Sequence, residues 1–228
     1  MPVTQLPLSD AWRRRLYLPA YTVSDAARFA KTNPQRVAYW YHSTSKVGPT
    51  LPGRERRTQL SYMQLVEVAF VATFRNFGVP LAKLRDARAY LAQTFEAEFP
   101  FAEYRLKTDG VDVILDLASV EEDSDLNRLI IASASGQIAW QPEVENRFME
   151  FEYEAGLAVV WHVAGRESPV RIDPRVAFGA PTVRGIPTWA LRGRANAGES
   201  IEELMRDFGL ERHEVVEALT FEGIPDAA

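Results

Sequence analysis

The hydrophobic period changes twice along this chain, and that change limits the fold more than any single motif. Up to residue 98 the apolar residues recur at spacings of three and four, as on the buried face of a helix. Met63, Val66, Phe70, Phe74 and Phe77 form one such series, and Leu81, Leu84, Leu91 and Phe95 another. In the middle third the period is two: Met149, Phe151 and Tyr153 alternate with Glu150, Glu152 and Glu154, the pattern of a half-buried strand. Beyond Thr188 the helical spacing returns, with Ile201, Leu204, Met205 and Phe208. Helices and strands segregated in this way predict an α+β fold. Three segments are expected: an N-terminal winged helix-turn-helix over 1–98, a small central antiparallel β-sheet over 99–168, and a C-terminal trihelical, helix-turn-helix-like domain over 169–228.

Capping residues set the boundaries. Thr22 or Ser24 can cap a helix beginning near Asp25, and Lys31-Thr32 breaks it. Asn33-Pro34 restarts a helix, an Asn cap followed by Pro at the first helical position, and it is expected to reach His42. Two short helices joined by so tight a break predict a helix-turn-helix. Gly48, Pro49, Pro52 and Gly53 then mark a loop in the position of a wing. Long helices are expected over 61–76 and 80–97, and C-terminal helices over 188–196, 200–208 and 211–221. Ser200 and Glu203 have the spacing of a capping box. Asp109-Gly110 suits a two-residue turn, so 104–115 reads as a hairpin, with 135–140 as another strand and 157–163 returning from 149–154. The segments around Gly179-Ala180-Pro181 and Gly185-Ile186-Pro187 read as a loop.

Charge is distributed unevenly. Residues 1–60 hold ten Lys/Arg against three Asp/Glu, whereas residues 199–228 hold nine Asp/Glu against two Arg. The first end suits a polyanion and the second repels one. The chain has no cysteine, which removes disulfides and thiolate metal sites and fits a reducing cytoplasm. No apolar run is long enough for a membrane span, and the N-terminus lacks the order of a secretory signal. Nucleotide-binding, zinc-hydrolase and serine-hydrolase motifs are missing, and His42, His162 and His213 are far apart, so no catalytic residue, cofactor or metal is expected.

The candidate DNA-binding residues are Gln35, Arg36, Tyr39, Lys46, Arg54, Arg56 and Arg57. Gln35 and Arg36 open the second short helix, where Gln can pair with adenine and Arg with guanine. Tyr39 follows one turn later, within reach of a phosphate, and the other four cations occupy the wing position. Arg13-Arg14-Arg15 reads equally well as a backbone-contacting arm or a solubilising run. The last helix is acidic, with Glu211, Glu214, Glu217 and Glu222, and would be repelled by phosphate. Arg184, Trp189, Arg192 and Arg194 therefore form a candidate protein-partner surface, with burial of Trp189 in the core as the alternative.

A family resemblance rests on the order of these pieces. Tyr21 to Arg28, Asn33-Pro34 and Tyr39-Trp40 resemble a MerR-type helix-turn-helix. Leu60 to Glu67, Gly78 to Leu81 and Leu84 to Ala87 resemble the helices that follow in VapB-like antitoxins with this N-terminal domain, and Thr108-Asp109-Gly110 and Ser135-Gly136-Gln137 resemble their middle segment. Ile172-Asp173-Pro174, Phe178 to Pro181, Gly185 to Thr188 and Gly198 to Leu204 resemble a small C-terminal domain without assigned function that is often encoded beside PIN-type ribonuclease toxins. The resemblance implies an antitoxin and autorepressor, a homodimer that binds operator DNA and neutralises a PIN-like toxin by covering its metal-dependent nuclease site. Ala38 stands where such recognition helices often carry a basic residue, and the cysteines of metal-sensing relatives are absent. A small-molecule-responsive regulator and a protein-interaction module that does not touch DNA are the competing expectations.

Overall fold

A computed structural model describes residues 11–42, 48–51, 59–111, 125–132 and 138–224. The chain forms two compact units. One comprises Tyr17–Met149 and Tyr153–Ala158; the other comprises Met1–Leu16, Glu150–Glu152 and Val159–Ala228.

The first unit is built largely from helices. Helix α2 (Val23–Phe29) is opened by a reciprocal capping box between Thr22 and Asp25, and it buries Ala26, Ala27 and Phe29. The chain leaves it through Lys31, in the left-handed region at φ 52°, with the Thr32 amide donating to the Ala27 carbonyl at 2.8 Å. Asn33 then caps α3 (Pro34–Trp40), its side chain accepting from the Gln35 amide at 2.8 Å. A backbone bridge between Tyr21 and Leu60 closes the segment that holds both helices. Helix α3 ends at Trp40, short of the expected His42.

Helix α4 (Tyr62–Asn76) starts from a Ser61–Gln64 capping box. Every residue from Tyr62 to Phe74 is buried, so the helix is enclosed on all sides and not along one stripe. A carboxylate sits in its middle: Glu67 accepts from Arg88 Nε at 2.7 Å and from the Phe101 amide at 3.3 Å. Burial pushes the Glu67 carboxyl up to about 7, against the pull of Arg88. Helix α5 (Leu81–Phe95) carries Arg88 and packs Leu84, Ala87, Leu91 and Phe95 inward. Phe70, Phe74, Phe101, Trp140 and Phe148 form a chain of ring contacts with centroids 5.0–5.9 Å apart, which marks the core.

The segment expected as a hairpin around Asp109-Gly110 is instead a helix, α6, over 104–111; residues 112–115 lie outside the described part. Local turn chemistry is overridden by packing. Leu106 and Gly110 are buried one turn apart, and a Cβ on Gly110 would lie 2.9 Å from the Trp140 ring, whose Nε1 donates to the Lys107 carbonyl at 3.3 Å. The glycine permits a close helix–indole approach and makes no turn. Strands β1 (Ile130–Ala132) and β2 (Ile138–Trp140) pair antiparallel, and β2 agrees with the strand expected there. Helix α7 (Pro142–Met149) follows, so Met149 ends a helix and does not begin the alternating strand.

Strands β3 (Phe151–Glu154) and β4 (Leu157–Trp161) flank the Ala155–Gly156 turn, both residues of which have positive φ. They continue into β5 (Arg171–Ile172), β6 (Pro181–Val183) and β7 (Ile186–Pro187), a five-stranded sheet in sequential order. The sheet thus runs past residue 168. The expected loop at 181–187 is a hairpin, turned by Arg184 and Gly185 at φ 49° and 84°. Within this second unit, α1 (Ala11–Arg15) places Arg13–Arg15 on a helix, where Arg15 donates to the Arg175 carbonyl and the Arg175 guanidinium lies over the Trp12 ring. Three helices complete the unit: α8 (Thr188–Asn196), α9 (Ile201–Phe208) and α10 (Arg212–Phe221). Their bounds agree with the capping signals. Ser200 and Glu203 form the capping box, Gly209 ends α9 in the left-handed region, and Glu211 caps α10 with Glu214. The architecture is a mixed α+β one, with N-terminal helices, small antiparallel sheets and C-terminal helices. Among the described residues no helix is long and apolar enough to cross a membrane.

Candidate nucleic-acid interface

Helix α3 has two faces of opposite character. Val37 and Trp40 are buried and anchor it to the unit. Gln35, Arg36, Ala38 and Tyr39 are exposed, and Tyr39 keeps 63% of its surface. Gln35, Arg36 and Tyr39 have no side-chain hydrogen-bond or ion-pair partner among the described residues. Three polar side chains at i, i+1 and i+4 therefore face outward with their donors and acceptors uncommitted.

These side chains border an open groove of about 440 Å³. Buried Trp40 and Ala72 contribute to it from α3 and α4, and Thr32 from the turn before α3. Arg75 and Asn76 line it from the last turn of α4, and Leu81 from the start of α5. Among the described residues no carboxylate lines it. Arg75 is held by its own turn, with Nη1 donating to the Val79 carbonyl at 2.5 Å. Sequence reasoning missed Arg75 and Asn76. Their signal, a polar pair ending an otherwise apolar run, reads as an ordinary helix end until the packing of α2 against α4 brings that end beside α3. The wing cations Lys46, Arg54, Arg56 and Arg57 lie outside the described residues.

The second candidate set is differently placed. Trp189 is 56% exposed, which removes the reading of it as a core residue. The arginines around it are engaged. Arg184 donates to the Gly209 carbonyl at 3.3 Å and lies 3.5 Å from Glu214. Arg192 pairs with Glu222 at 3.0 Å, and the side chain of Glu222 is almost fully buried. Arg194 joins Glu199 and Asp207; hydrogen bonding to Arg194 holds the Asp207 carboxyl below its ordinary range. Arg212 pairs with Glu202 at 2.7 Å. Glu217 accepts from the Ser168 hydroxyl at 2.8 Å. Phe178, 88% exposed, sits in a run of three positive φ values with Ala177 and Gly179.

Among the described residues no group of three or more His, Asp or Glu is arranged to hold a metal ion. His162 contacts Glu152 at 2.7 Å, His213 lies 3.3 Å from Glu211, and His42 is exposed near the end of α3.

Comparison with known proteins adds two findings. Residues 170–221 match a family described as a protein of unknown function (DUF433). The matched segment spans β5, β6, β7 and the whole of α8, α9 and α10. The chain is also similar to the crystal structure of Rv2018 from Mycobacterium tuberculosis, with 23% identity and a TM-score of 0.76, covering 90% of this chain and 99% of that one. That likeness is one of fold. No curated protein matches.

Proposed function

We propose that the chain is a DNA-binding antitoxin that represses its own promoter. In this reading α2 and α3 act as a helix-turn-helix, and α3 enters the major groove with Gln35 and Arg36 at base edges and Tyr39 toward the backbone. The observation that carries it is the exposed face of α3: three uncommitted polar side chains beside a groove whose described lining holds two arginines and no carboxylate. A second copy of the chain reads the second half-site. The partner half of the proposal, a PIN-like ribonuclease, rests on the resemblance of 172–204 to domains encoded beside such toxins, and exposed Trp189 supports it as an anchor of the kind protein interfaces use.

Fluorescence anisotropy tests the DNA half. The full chain is titrated with duplex from upstream of its own gene and with a shuffled duplex. Tighter binding to the upstream duplex that weakens steeply with salt is expected; equal, salt-insensitive weak binding to both overturns the proposal. Co-purification with the neighbouring ribonuclease, lost on Trp189→Ala, tests the toxin half.

A further inference from the structure

We infer that the groove between α3, α4 and α5 is a phosphate-ester site, with Arg75 as its second cation. The inference rests on the nucleic-acid reading of α3 and specifies the chemistry which that face takes. Arg36 and Arg75 come from different helices and border one groove. No carboxylate is among the described residues that line it, so within that lining an anion is what would compensate their charge. Tyr39 and Asn76 add a hydroxyl and an amide, the donors that accompany arginine at phosphate oxygens. The bond from Arg75 to the Val79 carbonyl uses one of its five donors and fixes the side chain at the α4–α5 turn. The others have no ion-pair partner among the described residues. Helix α5 begins at the same place. Pro80 caps it without a side-chain hydrogen bond, so the first-turn amides next to Leu81 have no cap and carry the positive end of the helix dipole.

The occupant is a phosphate ester, either a DNA backbone phosphate or a free phosphorylated small molecule. Arg75→Gln separates structure from charge, because the amide can still donate to Val79 while the cation is lost; circular dichroism confirms that the variant folds. Two readouts use the full chain. In anisotropy over a salt series, loss of one backbone contact lowers affinity for upstream and shuffled duplexes by the same factor, roughly eightfold at about 0.1 M salt, and reduces the salt slope by about 0.9. In calorimetry, thymidine 3′,5′-bisphosphate is titrated into wild type and variant. A reduced slope supports the site with DNA as its occupant. An unchanged slope with bisphosphate binding lost in the variant supports the site with a free phosphate ester as its occupant. An unchanged slope with bisphosphate heats equal in both proteins overturns it. If the wild type binds neither duplex, the reading of α3 fails, and calorimetry alone decides: binding lost in Arg75→Gln keeps the site, and absence of binding removes it.

Discussion

The groove beside α3 and the three-helix bundle of α8–α10 both contain arginines, yet they present opposite electrostatics. Beside α3, Arg36 and Arg75 have no carboxylate partner among the described residues. At the bundle, Arg184 of the β6–β7 turn and Arg192, Arg194 and Arg212 of the helices are each matched to a glutamate or aspartate. The acidic groups of the bundle are equally occupied: Glu203 and Glu214 complete capping boxes, and Glu222 takes both Thr188 and Arg192. A count of charges measures the overall field, but only charges left uncommitted by local structure are available to a partner. Arg184, Arg192 and Arg194, candidate partner contacts by sequence, are committed to acidic groups of the bundle, and Trp189 is left as the group with area to offer.

The largest expected effect separates the two exposed-or-buried tryptophans. Trp40→Ala removes the anchor of α3 and is expected to cost about 3–5 kcal/mol of stability, together with DNA binding. Trp189→Ala, at an exposed position, is expected to change stability by less than about 0.5 kcal/mol. Denaturant unfolding of both variants checks this, and equal losses would erase the distinction. Next in size, Arg36→Ala is expected to reduce binding to the upstream duplex by about 1–3 kcal/mol and to lower its preference over the shuffled one. Arg192→Ala is expected to leave both unchanged, because that arginine is committed to Glu222. The reverse ranking in anisotropy would break the comparison.

A separate effect, independent of DNA, is one of pH. The folded-state pKa of Glu67, raised by burial to about 7, lies above its unfolded value of about 4.5. The protonated form is therefore favoured by folding: its stabilising contribution is complete below the unfolded pKa and is lost as pH rises through about 7. The melting temperature of the wild type is expected to fall between pH 5 and 8, and Glu67→Gln, which keeps an acceptor for Arg88, flattens that slope. An identical slope in the variant contradicts the assignment.

Legibility from sequence followed how local the determining physics was. The C-terminal helices were readable to within a residue because Ser200, Gly209 and Glu211 act on backbone groups a few residues away. Asn33-Pro34 marked the start of α3 for the same reason. Asp109-Gly110 misled because its conformation is decided by Trp140, thirty residues on, against which Gly110 packs. The β6–β7 hairpin was missed because its strands are three and two residues long, too short to show a period. At the candidate site, the α3 residues could be named in advance and Arg75 could not, since nothing in its own segment shows that α4 ends beside α3.

Hydrogen–deuterium exchange on the full chain, with and without the upstream duplex, tests the central claim most directly. Slowed exchange on DNA addition is expected in 31–41 and 72–82, with 188–222 unchanged. Protection confined to 188–222, with α3 and the end of α4 exchanging as before, would contradict it.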